Sequence, residues 1–399
     1  MTASRYDRFP VGRGITLAEL EADPYPAFAR LREHEPISWV PALGMWYVTR
    51  YEDVRAALLD TTRLTTSSDQ STIFDTFGAH MLTTEDPTHD RYRRATQYAF
   101  APGYIRTHFE TAIAQVAASL LEEFVHAREA DLRTVFAARL PIRVILLVCG
   151  LPASAEARMR RWYDSFEAAL ANFTRDPAIR AIARRSVQEF HELLDDAIGA
   201  ARGSASDTLI SRLANAPREQ RLSDEEIRRN LSIIFFGGIS TVEALLLNCL
   251  WALFEHPQAE AQVRQDRTVL PAVIEETMRW LSPVQSATRH VVEPFEWQGV
   301  RLEAHDIVNC MLGAANRDPR VFADPDRFDI GRLNTRRHLG FATGPHACLG
   351  SHLAKTEVRL GLDLLLRRLP GLRLQRSLSE SPSGYEFRQS RRLSVAWDA

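Results

Sequence analysis

The longest apolar stretch of the chain, residues 231–254, constrains the fold most, because it is long enough to cross a membrane as one helix. Polar or flexible residues interrupt it at Gly237–Gly238, Ser240–Thr241, Glu243 and Asn248, and neither a cluster of positive charge nor an aromatic belt flanks it. The remaining helical segments are amphipathic, which is typical of a globular protein. The sequence therefore predicts a helix through the centre of a large globular protein rather than a membrane anchor.

The size and composition of the chain suit one large core. Of its 399 residues, 45% are hydrophobic and 25% are charged, which is ordinary for a globular protein. Length alone suggests two or three domains, but no Gly/Ser-rich linker, charge block, repeat or low-complexity tract divides the sequence. We therefore expect a single domain over residues 1–399. The formal net charge of −2 does not favour nucleic acid or an anionic membrane as a partner.

The cysteines and the first residues predict where the protein is located. Cys149, Cys249, Cys310 and Cys348 lie far apart and form no Cys-x-x-Cys pair, which disfavours a disulfide framework and a structural zinc site. Residues 1–14 are rich in charge and contain no apolar core, so the sequence predicts no signal peptide. We expect a cytoplasmic protein without a membrane anchor.

Hydrophobic periodicity predicts a mainly α fold with a small β region at each end. Ser223 and Glu226 form a capping-box signature at the start of the long central helix. Residues 61–80 are predicted to be a loop and residues 316–331 a Pro- and Asp-rich meander. The predicted helices cover 26–33, 52–59, 90–99, 104–127, 155–171, 177–201, 224–254, 257–264, 270–281 and 351–369. The predicted strands cover 37–40, 45–49, 287–292, 295–302, 307–312 and 391–397.

Residues 341–350 carry the most informative pattern, Phe-x-x-Gly-x-x-x-Cys-x-Gly. Cys348 stands just before the last predicted helix, whose unpaired N–H groups stabilise a thiolate. Gly344 and Gly350 bring backbone amides close to the sulfur, Pro345 stiffens the path, and Phe341 is placed to cover the sulfur. The other three cysteines lie in apolar runs and are predicted to be inert core residues. The pattern predicts a metal-binding thiolate at Cys348.

This spacing resembles the haem-ligand loop of the cytochrome P450 superfamily, of the bacterial, soluble, ferredoxin-dependent type, in which a cysteine thiolate holds the iron. The resemblance covers nearly the whole chain and implies the triangular-prism P450 fold, with haem between the central helix and the helix after Cys348. Further segments resemble the family in the same order along the chain. They are residues 86–94 (the helix that faces the haem propionates), 237–241 (the oxygen-binding bend), 276–279 (the Glu-x-x-Arg signature) and 325–328 (the meander).

The resemblance also implies the cofactor contacts. The cofactor is haem b, and Cys348 is the metal ligand. Propionates are paired anions that need hydrogen-bonding cations. The implied haem contacts are His89, Arg93, Arg289, Phe341, His346, Cys348 and Gly350. Electrons are expected from NAD(P)H through a separate ferredoxin and ferredoxin reductase, with O2 as co-substrate, and the expected docking face carries Arg91, Arg94, His352 and Lys355.

The resemblance assigns catalysis to the bend that contains Gly237, Gly238, Ser240 and Thr241. The glycines remove bulk where a flat macrocycle and O2 approach the backbone, and the Thr241 hydroxyl faces bound oxygen. Ser240 departs from the family, because most members carry at this position an Asp or Glu that relays protons from solvent. Serine passes a proton through its hydroxyl but cannot store one, and losing a positioned donor typically costs roughly 10²–10⁴-fold in rate.

Three explanations of Ser240 stay open from the sequence. The relay is rerouted through water or through a hydroxyl of the substrate. Alternatively Glu243, one turn further on, replaces the missing acid, although a structural or solvated role for Glu243 is favoured. In the third explanation the enzyme performs an oxidation that depends less on this relay, such as radical coupling or desaturation.

A structural network is expected from Glu276, Arg279 and Arg327. Glu276 and Arg279 are one helical turn apart and can pair on one face. The resemblance adds Arg327 of the meander, so that a buried Glu–Arg–Arg network would fix the meander and the cysteine loop. Its role is expected to be structural rather than catalytic.

The resemblance predicts a monooxygenase that inserts one oxygen atom of O2 into a medium-sized hydrophobic molecule of secondary metabolism. The alternatives are oxidative coupling or desaturation, peroxide-driven oxidation, and a haem-thiolate binding protein that does not turn over oxygen. The expected substrate contacts are mostly apolar and aromatic. They are Ile73, Phe74, Phe77, Phe166, Phe173, Ile234, Gly237, Val284, Gln285, Ala287 and Phe387.

Overall fold

The computed structural model of the protein describes residues 6–172 and 175–398, and the predicted substrate contact Phe173 lies outside them. Helices dominate, as the periodicity predicts. They are α1 Pro10–Arg13, α2 Leu17–Ala22, α3 Tyr25–His34, α4 Tyr51–Leu59, α5 Thr72–Phe77, α6 Thr88–Thr96, α7 Pro102–His108, α8 Glu110–Glu122, α9 Leu140–Cys149, α10 Glu156–Leu170, α11 Pro177–Ala201, α12 Leu209–Ala214, α13 Asp224–Gly237, α14 Ser240–Glu255, α15 Pro257–Gln265, α16 Leu270–Trp280, α17 Leu312–Ala315 and α18 Ser351–Arg368.

Short strands form small sheets at both ends of the chain. They are β1 Ile37–Val40, β2 Met45–Val48, β3 Leu64–Thr65, β4 Glu129–Asp131, β5 Ala287–Val291, β6 Phe295–Trp297, β7 Val300–Leu302, β8 Ile307–Cys310, β9 Arg373–Leu374 and β10 Ser394–Ala396. The largest sheet has the order β1-β2-β8-β5-β3, so that N-terminal strands pair with strands from the last third of the chain. A second sheet has the order β4-β10-β9, and β6 pairs with β7 as a hairpin.

Helix boundaries follow from local chemistry where the sequence supplies it. Ser223 and Glu226 form the predicted capping box at the start of α13. Asp176 caps α11, and Pro177 occupies its first turn, where the missing N–H costs nothing. At the end of α9, Gly150 adopts φ of +83°, and the Thr208 side chain would lie 2.6 Å from a Cβ there, so glycine is required.

The structure differs from the predicted elements in several places; for example, the predicted strand 295–302 is the hairpin of β6 and β7, and α12 was not predicted. The helix α9 was not predicted, because its all-round apolar sequence has no 3.6-residue period; it is a core helix. The predicted loop 61–80 contains β3 and the short helix α5, which begins at the cap Ser71. The single helix predicted over 104–127 is two helices, α7 and α8, separated at Phe109.

The predicted central helix is confirmed, with one interruption. Residues 224–255 are long and apolar enough to cross a membrane by composition, yet 83% of their most apolar window is buried inside the protein. The helix α14 packs against α16 and α18 in the largest hydrophobic cluster. Between α13 and α14, Ile239 has φ of −106° and ψ of −80°, which interrupts the regular hydrogen bonding. This interruption lies within the predicted oxygen-binding bend.

One buried histidine makes the fold sensitive to acid. His80 is fully buried, its Nδ1 accepts the Leu82 N–H at 3.2 Å, and its Nε2 is buried without a hydrogen-bond partner among the described residues. Burial, and next the charge of Arg229, lower the pKa of His80 to about 3 from an ordinary 6.5. The unfolded chain therefore binds a proton that the folded protein excludes, and stability falls as the pH drops below 6.5.

We expect His80→Asn, which does not titrate, to reduce this acid sensitivity. In the wild type, protonation of the unfolded His80 costs roughly 3 kcal/mol of stability between pH 6.5 and about pH 4. Urea unfolding over this pH range measures the loss. The control variant is His34→Asn, at an exposed histidine. We expect it to keep the pH dependence of the wild type. Equal pH slopes for wild type and His80→Asn would contradict the assignment.

Candidate active site

The loop before α18 is held in a tight path by its own backbone. Cys348 donates its N–H to the Phe341 carbonyl at 2.9 Å, and Ala347 donates to the Gly344 carbonyl at 3.0 Å. Gly344 has φ of +79°, and a Cβ there would lie 2.7 Å from the Leu58 carbonyl oxygen. Only glycine fits this position, so the spacing in the sequence reflects a steric requirement.

The sulfur of Cys348 faces the groups that stabilise a thiolate. Burial raises the pKa of Cys348, while the backbone N–H groups of Gly350 and Ser351 and the charges of Arg93 and Lys355 act to lower this pKa. These amides begin α18, as predicted for a helix entrance. A positive charge at the sulfur, such as a metal ion, would offset the remaining free-energy cost of burying the thiolate.

Cys348 lies in a recess of the protein, which we call the cavity. Solvent reaches its side chain, yet enough protein surrounds it to raise its pKa by burial, a combination that an outer-surface residue does not show. Gly237 is likewise exposed, although the residues before it on α13 are buried. A Cβ at Gly237 or at Gly350 would meet nothing within 4 Å. The residues present therefore fit a flat group held between α13 and the cysteine loop.

The other cysteines do not share this environment. Cys149, Cys249 and Cys310 are fully buried in apolar surroundings, as predicted for core residues. Burial raises the pKa of Cys249 to about 12 and that of Cys310 to about 11, and it raises the pKa of Cys149 further. None of these thiols is suited to ligate a metal.

The predicted propionate ligands are partly brought together. The rings of His89 and His346 lie 4.5 Å apart, and Arg93, half-buried one turn after His89, acts on Cys348 through its charge. Arg289 is also buried, but its hydrogen bond among the described residues goes to the Thr288 carbonyl of its own strand, at 2.9 Å. His89 and His346 therefore lie next to each other, and Arg93 lies near enough to Cys348 to act on it.

Glu85 is a member of this cluster that sequence reasoning missed. Its carboxylate lies 3.0 Å from His346 Nε2 and accepts hydrogen bonds from Thr65 and Thr66. These contacts outweigh burial and lower the pKa of Glu85 to about 2. Glu85 therefore fixes the orientation of the His346 imidazole. The separation of 261 positions between Glu85 and His346 left no local signal for the pair.

Thr241 and Ser240 point to different sides of the interrupted central helix. The Thr241 hydroxyl donates to the Gly237 carbonyl at 2.6 Å, and both residues have solvent-accessible surface at the cavity. Ser240 is buried and turned toward α10, where its Oγ accepts a hydrogen bond from the Tyr163 hydroxyl at 2.5 Å. Tyr163 was not predicted, because only the packing of α10 on this helix brings it there.

Glu243 is a structural residue. Its buried carboxylate lies 2.7 Å from Arg133 Nε and 3.6 Å from Arg160 Nη1. These two guanidinium groups act to lower the pKa of Glu243, while burial raises it and is the larger influence. The two ion pairs agree with the favoured prediction of a structural role for Glu243.

An aromatic cluster contains several of the predicted substrate contacts. Phe77 lies 5.1 Å from Phe166 and 6.0 Å from Phe236 between ring centroids, and Phe236 lies 6.3 Å from Phe387. Phe77 and Phe166 are buried, whereas Phe387 is exposed and pairs with Val284 in an isolated bridge. Phe74 is partly exposed, Ile73 and Ala287 are half-buried, and Ile234 is buried on α13.

Gln285, another predicted substrate contact, is buried at the edge of the sheet. Its side chain is fully buried, and its amide donates to the Ser282 carbonyl at 2.6 Å. Its carbonyl oxygen lies 2.1 Å from the position of a Cβ on Gly313, so the side chain fills the space that this glycine leaves. Gln285 therefore supports the junction between the sheet and α17.

The predicted Glu–Arg–Arg network exists, but with a different second arginine. Glu276 and Arg279 are fully buried and form two hydrogen bonds of 2.7 and 2.9 Å. Arg332, rather than Arg327, brings its guanidinium to Glu276, at 3.3 Å. Arg327 is exposed and contributes its backbone carbonyl, which accepts from Arg279 at 2.9 Å. The turn of the meander directs this side chain to solvent, so the prediction for Arg327 was wrong.

The predicted docking cations are mostly paired with acids. Arg94 lies 2.8 Å from Asp90 on its own helix, and Arg91 pairs with Glu226 at the start of α13. Lys355, which is 2.6 Å from Glu275, lies over the Phe341 ring. His352 is exposed on α18, and Arg91 and Arg94 are also exposed although each pairs with an acid. Lys355 therefore supports the cysteine loop rather than presenting a free charge for docking.

We expect bulk at Gly237 to block the cavity without unfolding the protein. A Phe side chain at this position extends into open space, so Gly237→Phe changes the free energy of unfolding by less than about 1 kcal/mol. Titration of apoprotein with haem should show at least tenfold weaker uptake, because the ring occupies the space of the macrocycle. Gly199 on α11 is also unobstructed, and Gly199→Phe serves as the control with normal uptake. Normal uptake by Gly237→Phe would contradict the placement of the cavity.

Comparisons with known proteins agree with this geometry. The family model for cytochrome P450 matches residues 158–370, more than half of the chain. Cytochrome P450 107B1 of Saccharopolyspora erythraea is 34% identical over 89% of this chain and 90% of that protein. The 6-deoxyerythronolide B hydroxylase of the same organism is 31% identical over 90% of this chain and 93% of that protein.

Solved structures share the architecture. The crystal structure of P450BioI in complex with hexadec-9Z-enoic acid ligated acyl carrier protein has a TM-score of 0.87 and 27% identity, over 96% of this chain and 100% of that chain. The mainly α fold with small sheets is therefore the P450 fold, as predicted. The chain belongs to the cytochrome P450 family and is an oxidoreductase of the P450 monooxygenase type.

Proposed function

We propose that this single-domain protein is a haem-thiolate monooxygenase of secondary metabolism that inserts one oxygen atom of O2 into a medium-sized hydrophobic molecule, with Cys348 as the iron ligand. One observation carries this proposal: the Cys348 sulfur lies in the cavity and faces two backbone amides and the charges of Arg93 and Lys355. Haem b, when bound, supplies the site at which O2 is bound and reduced.

The chain's own residues prepare this site. The amides of Gly350 and Ser351 hold the sulfur as a thiolate, and Phe341 limits the access of water to it. His89, Arg93, Arg289 and His346 hold the two propionates. This placement is supported by the adjacent rings of His89 and His346 and by the burial of Arg289.

The bend between α13 and α14 governs the oxygen side of the cavity. Gly237 would leave room for a flat macrocycle, since a Cβ there would extend into open space, whereas a Cβ at Gly238 would lie 3.6 Å from the Ile145 side chain. The Thr241 hydroxyl donates its proton in a hydrogen bond to the Gly237 carbonyl. This hydrogen bond fixes the position of the Thr241 Oγ and of its proton at the bend. Ser240 lies behind this face and contacts α10.

Apolar and aromatic side chains favour a hydrophobic substrate. Phe74 and Phe387 have exposed surface, and Phe387 adjoins the buried ring of Phe236. Relatives named for 6-deoxyerythronolide B and for mycinamicin IV oxidation support a macrolide or another polyketide as the substrate class. Electrons come from NAD(P)H through a separate ferredoxin and ferredoxin reductase, in the cytoplasm.

Two probes test the proposed reaction. Purified ferric protein is titrated with 6-deoxyerythronolide B and with hexadec-9Z-enoic acid, and the change in spin state is followed by absorbance. NADPH, ferredoxin, ferredoxin reductase and isotopically labelled O2 are then added, and the products are analysed by mass spectrometry. We expect a product that carries one labelled oxygen atom and requires the reductant.

Other results distinguish the alternatives. Binding of a probe without product under these conditions would contradict the monooxygenase and favour a haem-thiolate binding protein. An unlabelled coupled or dehydrogenated product would favour oxidative coupling or desaturation. Product formed equally fast with hydrogen peroxide alone would favour peroxide-driven oxidation.

A further inference from the structure

A tight turn near the C-terminus, residues 383–389, carries a carboxyl group that no described residue pairs with a positive charge. Ser383 and Gln389 close the turn through two backbone hydrogen bonds of 3.1 Å, and Gly384 adopts φ of +111°. A Cβ at Gly384 would lie 2.0 Å from the Phe387 carbonyl oxygen, so the turn requires glycine. The path of the backbone through the turn is therefore fixed.

The turn is fastened to the end of α2. Gly384 donates its N–H to the Glu21 carbonyl at 2.9 Å. The Arg388 guanidinium donates to the carbonyls of Glu21 and Ala22, at 3.2 and 2.8 Å. Arg388 is the cation nearest to Glu386 in the sequence, and these contacts direct its charge to α2 rather than to the carboxyl group of Glu386.

Two neutral donors from the large sheet and its approach hold the carboxyl group of Glu386. Ser286 Oγ donates to Glu386 Oε2 at 2.7 Å, and Asn309 Nδ2 donates to Oε1 at 3.3 Å. Asn309 is fixed in turn by Thr288, whose hydroxyl donates to Asn309 Oδ1 at 2.7 Å. An ionised carboxylate only accepts hydrogen bonds, so a donor on each oxygen favours the ionised form. The surroundings of Glu386 are therefore arranged for a negative charge.

Among the described residues, no cation accompanies these two donors. Burial is the largest influence and raises the pKa of Glu386 above its ordinary value of 4.5, while the hydrogen bonds from Ser286 and Asn309 lower it. Glu386 is half-buried, and a carboxylate that only neutral groups contact retains part of its desolvation cost. A positively charged group on a bound molecule would offset that cost.

The next residue is an aromatic side chain with exposed surface. Phe387 is 39% exposed, and its ring lies 6.3 Å from the ring of Phe236 on α13. Val284 pairs with Phe387 in an isolated bridge, and Ser286, two residues after Val284, holds Glu386. Aromatic rings attract ammonium groups. The carboxylate and an accessible ring are therefore consecutive, on a turn that joins the segment of the predicted substrate contacts.

We propose that Glu386 and Phe387 recognise a positively charged amine on the substrate, with Ser286 and Asn309 as positioning residues for the carboxylate. This inference rests on the proposed function, since it names a group that the hydrophobic substrate carries. The amine forms an ion pair with Glu386, and the apolar part of the molecule contacts Phe387. A neutral molecule of the same shape gains nothing from the carboxylate. The site therefore selects among hydrophobic molecules by charge.

Two probes of the same shape separate charge from fit. Benzoylcholine carries a trimethylammonium group, and 3,3-dimethylbutyl benzoate carries a tert-butyl group in its place. The quaternary nitrogen has no lone pair, so benzoylcholine does not ligate iron through it. Calorimetric titration of the ferric holoenzyme measures both dissociation constants. We expect Glu386→Gln to weaken the binding of benzoylcholine by about tenfold, and to leave the binding of 3,3-dimethylbutyl benzoate within about twofold of the wild type.

Three further variants separate the charge of Glu386 from a structural role. Glu380→Gln removes the same charge from an exposed side chain and should leave both dissociation constants within about twofold of the wild type. Glu386→Asp keeps the charge and should keep most of the affinity for benzoylcholine. Ser286→Ala removes the shorter hydrogen bond to the carboxylate, so it should weaken the binding of benzoylcholine by about threefold and leave that of the neutral probe unchanged.

Several results would overturn the amine site. They are a wild type that does not bind benzoylcholine, unchanged binding of benzoylcholine by Glu386→Gln, and equal weakening of both probes in that variant. A folded Glu386→Asp protein that loses as much affinity for benzoylcholine as Glu386→Gln would overturn it as well, because the shape of the side chain rather than its charge would then matter.

The binding measurement does not depend on turnover, so it fails separately from the proposed function. If Glu386→Gln loses affinity for benzoylcholine alone, but the wild type makes no labelled product from 6-deoxyerythronolide B or hexadec-9Z-enoic acid, the monooxygenase proposal fails and the amine site stands. If labelled product forms but Glu386→Gln binds benzoylcholine as the wild type does, the amine site fails and the proposed function stands.

Discussion

Replacing Arg279 by Ala is expected to lower the free energy of unfolding by about 3–5 kcal/mol, because it strands a fully buried carboxylate. Glu276 receives two hydrogen bonds from Arg279, and its side chain has no exposed surface. The same guanidinium also donates to the carbonyls of Asn316 and Pro325, at 3.2 and 2.7 Å. One substitution therefore releases the helix α16 from the meander at several points.

The two meander arginines give matched variants. Arg332→Ala removes a side chain that is 8% exposed and 3.3 Å from Glu276, so a loss of about 1–3 kcal/mol is expected. Arg327→Ala removes an exposed side chain and leaves its carbonyl in place, so a change within about 0.5 kcal/mol is expected. Urea unfolding of all three variants measures these values. A larger loss for Arg327→Ala than for Arg332→Ala would contradict the network described above.

Replacing Cys348 by Ala should abolish turnover, whereas replacing a buried cysteine should not. The sulfur of Cys348 is the thiol at the cavity wall, and α18 and Arg93 stabilise its charge. Cys310→Ala is the control, because Cys310 is fully buried in strand β8 and its thiol has no exposed surface. It should lose stability by about 1 kcal/mol and keep its activity.

The measurement is the rate of probe oxidation with ferredoxin, ferredoxin reductase and NADPH, together with the haem content of each purified variant. Cys348→Ala should have no reductant-dependent product even where some haem remains bound. Substantial turnover by Cys348→Ala, or its loss in a folded Cys310→Ala protein, would show that another residue holds the iron.

Much of the fold and part of the site could be predicted from local patterns in the sequence. The bounds of α11 were predicted exactly as the structure has them, because Asp176 and Pro177 mark its start and its apolar period is regular. The path of the cysteine loop was readable because Gly344 is sterically required. A cap, a tight turn or a helix entrance depends on one short segment. Such features can be predicted because the residues that form them are neighbours in the sequence.

Contacts between segments that are far apart in the sequence could not be predicted from local patterns. Tyr163 reaches Ser240 over 77 residues, and Glu85 reaches His346 over 261 residues. The choice between Arg327 and Arg332 depends on which side chain the meander turns inward, and both arginines fit the local pattern. The break between α13 and α14 needs the hydroxyl of Tyr163 from another helix. Such features follow from packing, which a single sequence does not display.

The carbon monoxide difference spectrum of the dithionite-reduced holoenzyme tests the central claim, that the Cys348 thiolate binds haem iron, most directly. The account predicts a Soret band at about 450 nm in the wild type and in Cys310→Ala, and its loss in Cys348→Ala. A wild-type protein that binds haem without this band, or a Cys348→Ala protein that keeps it, would contradict the account.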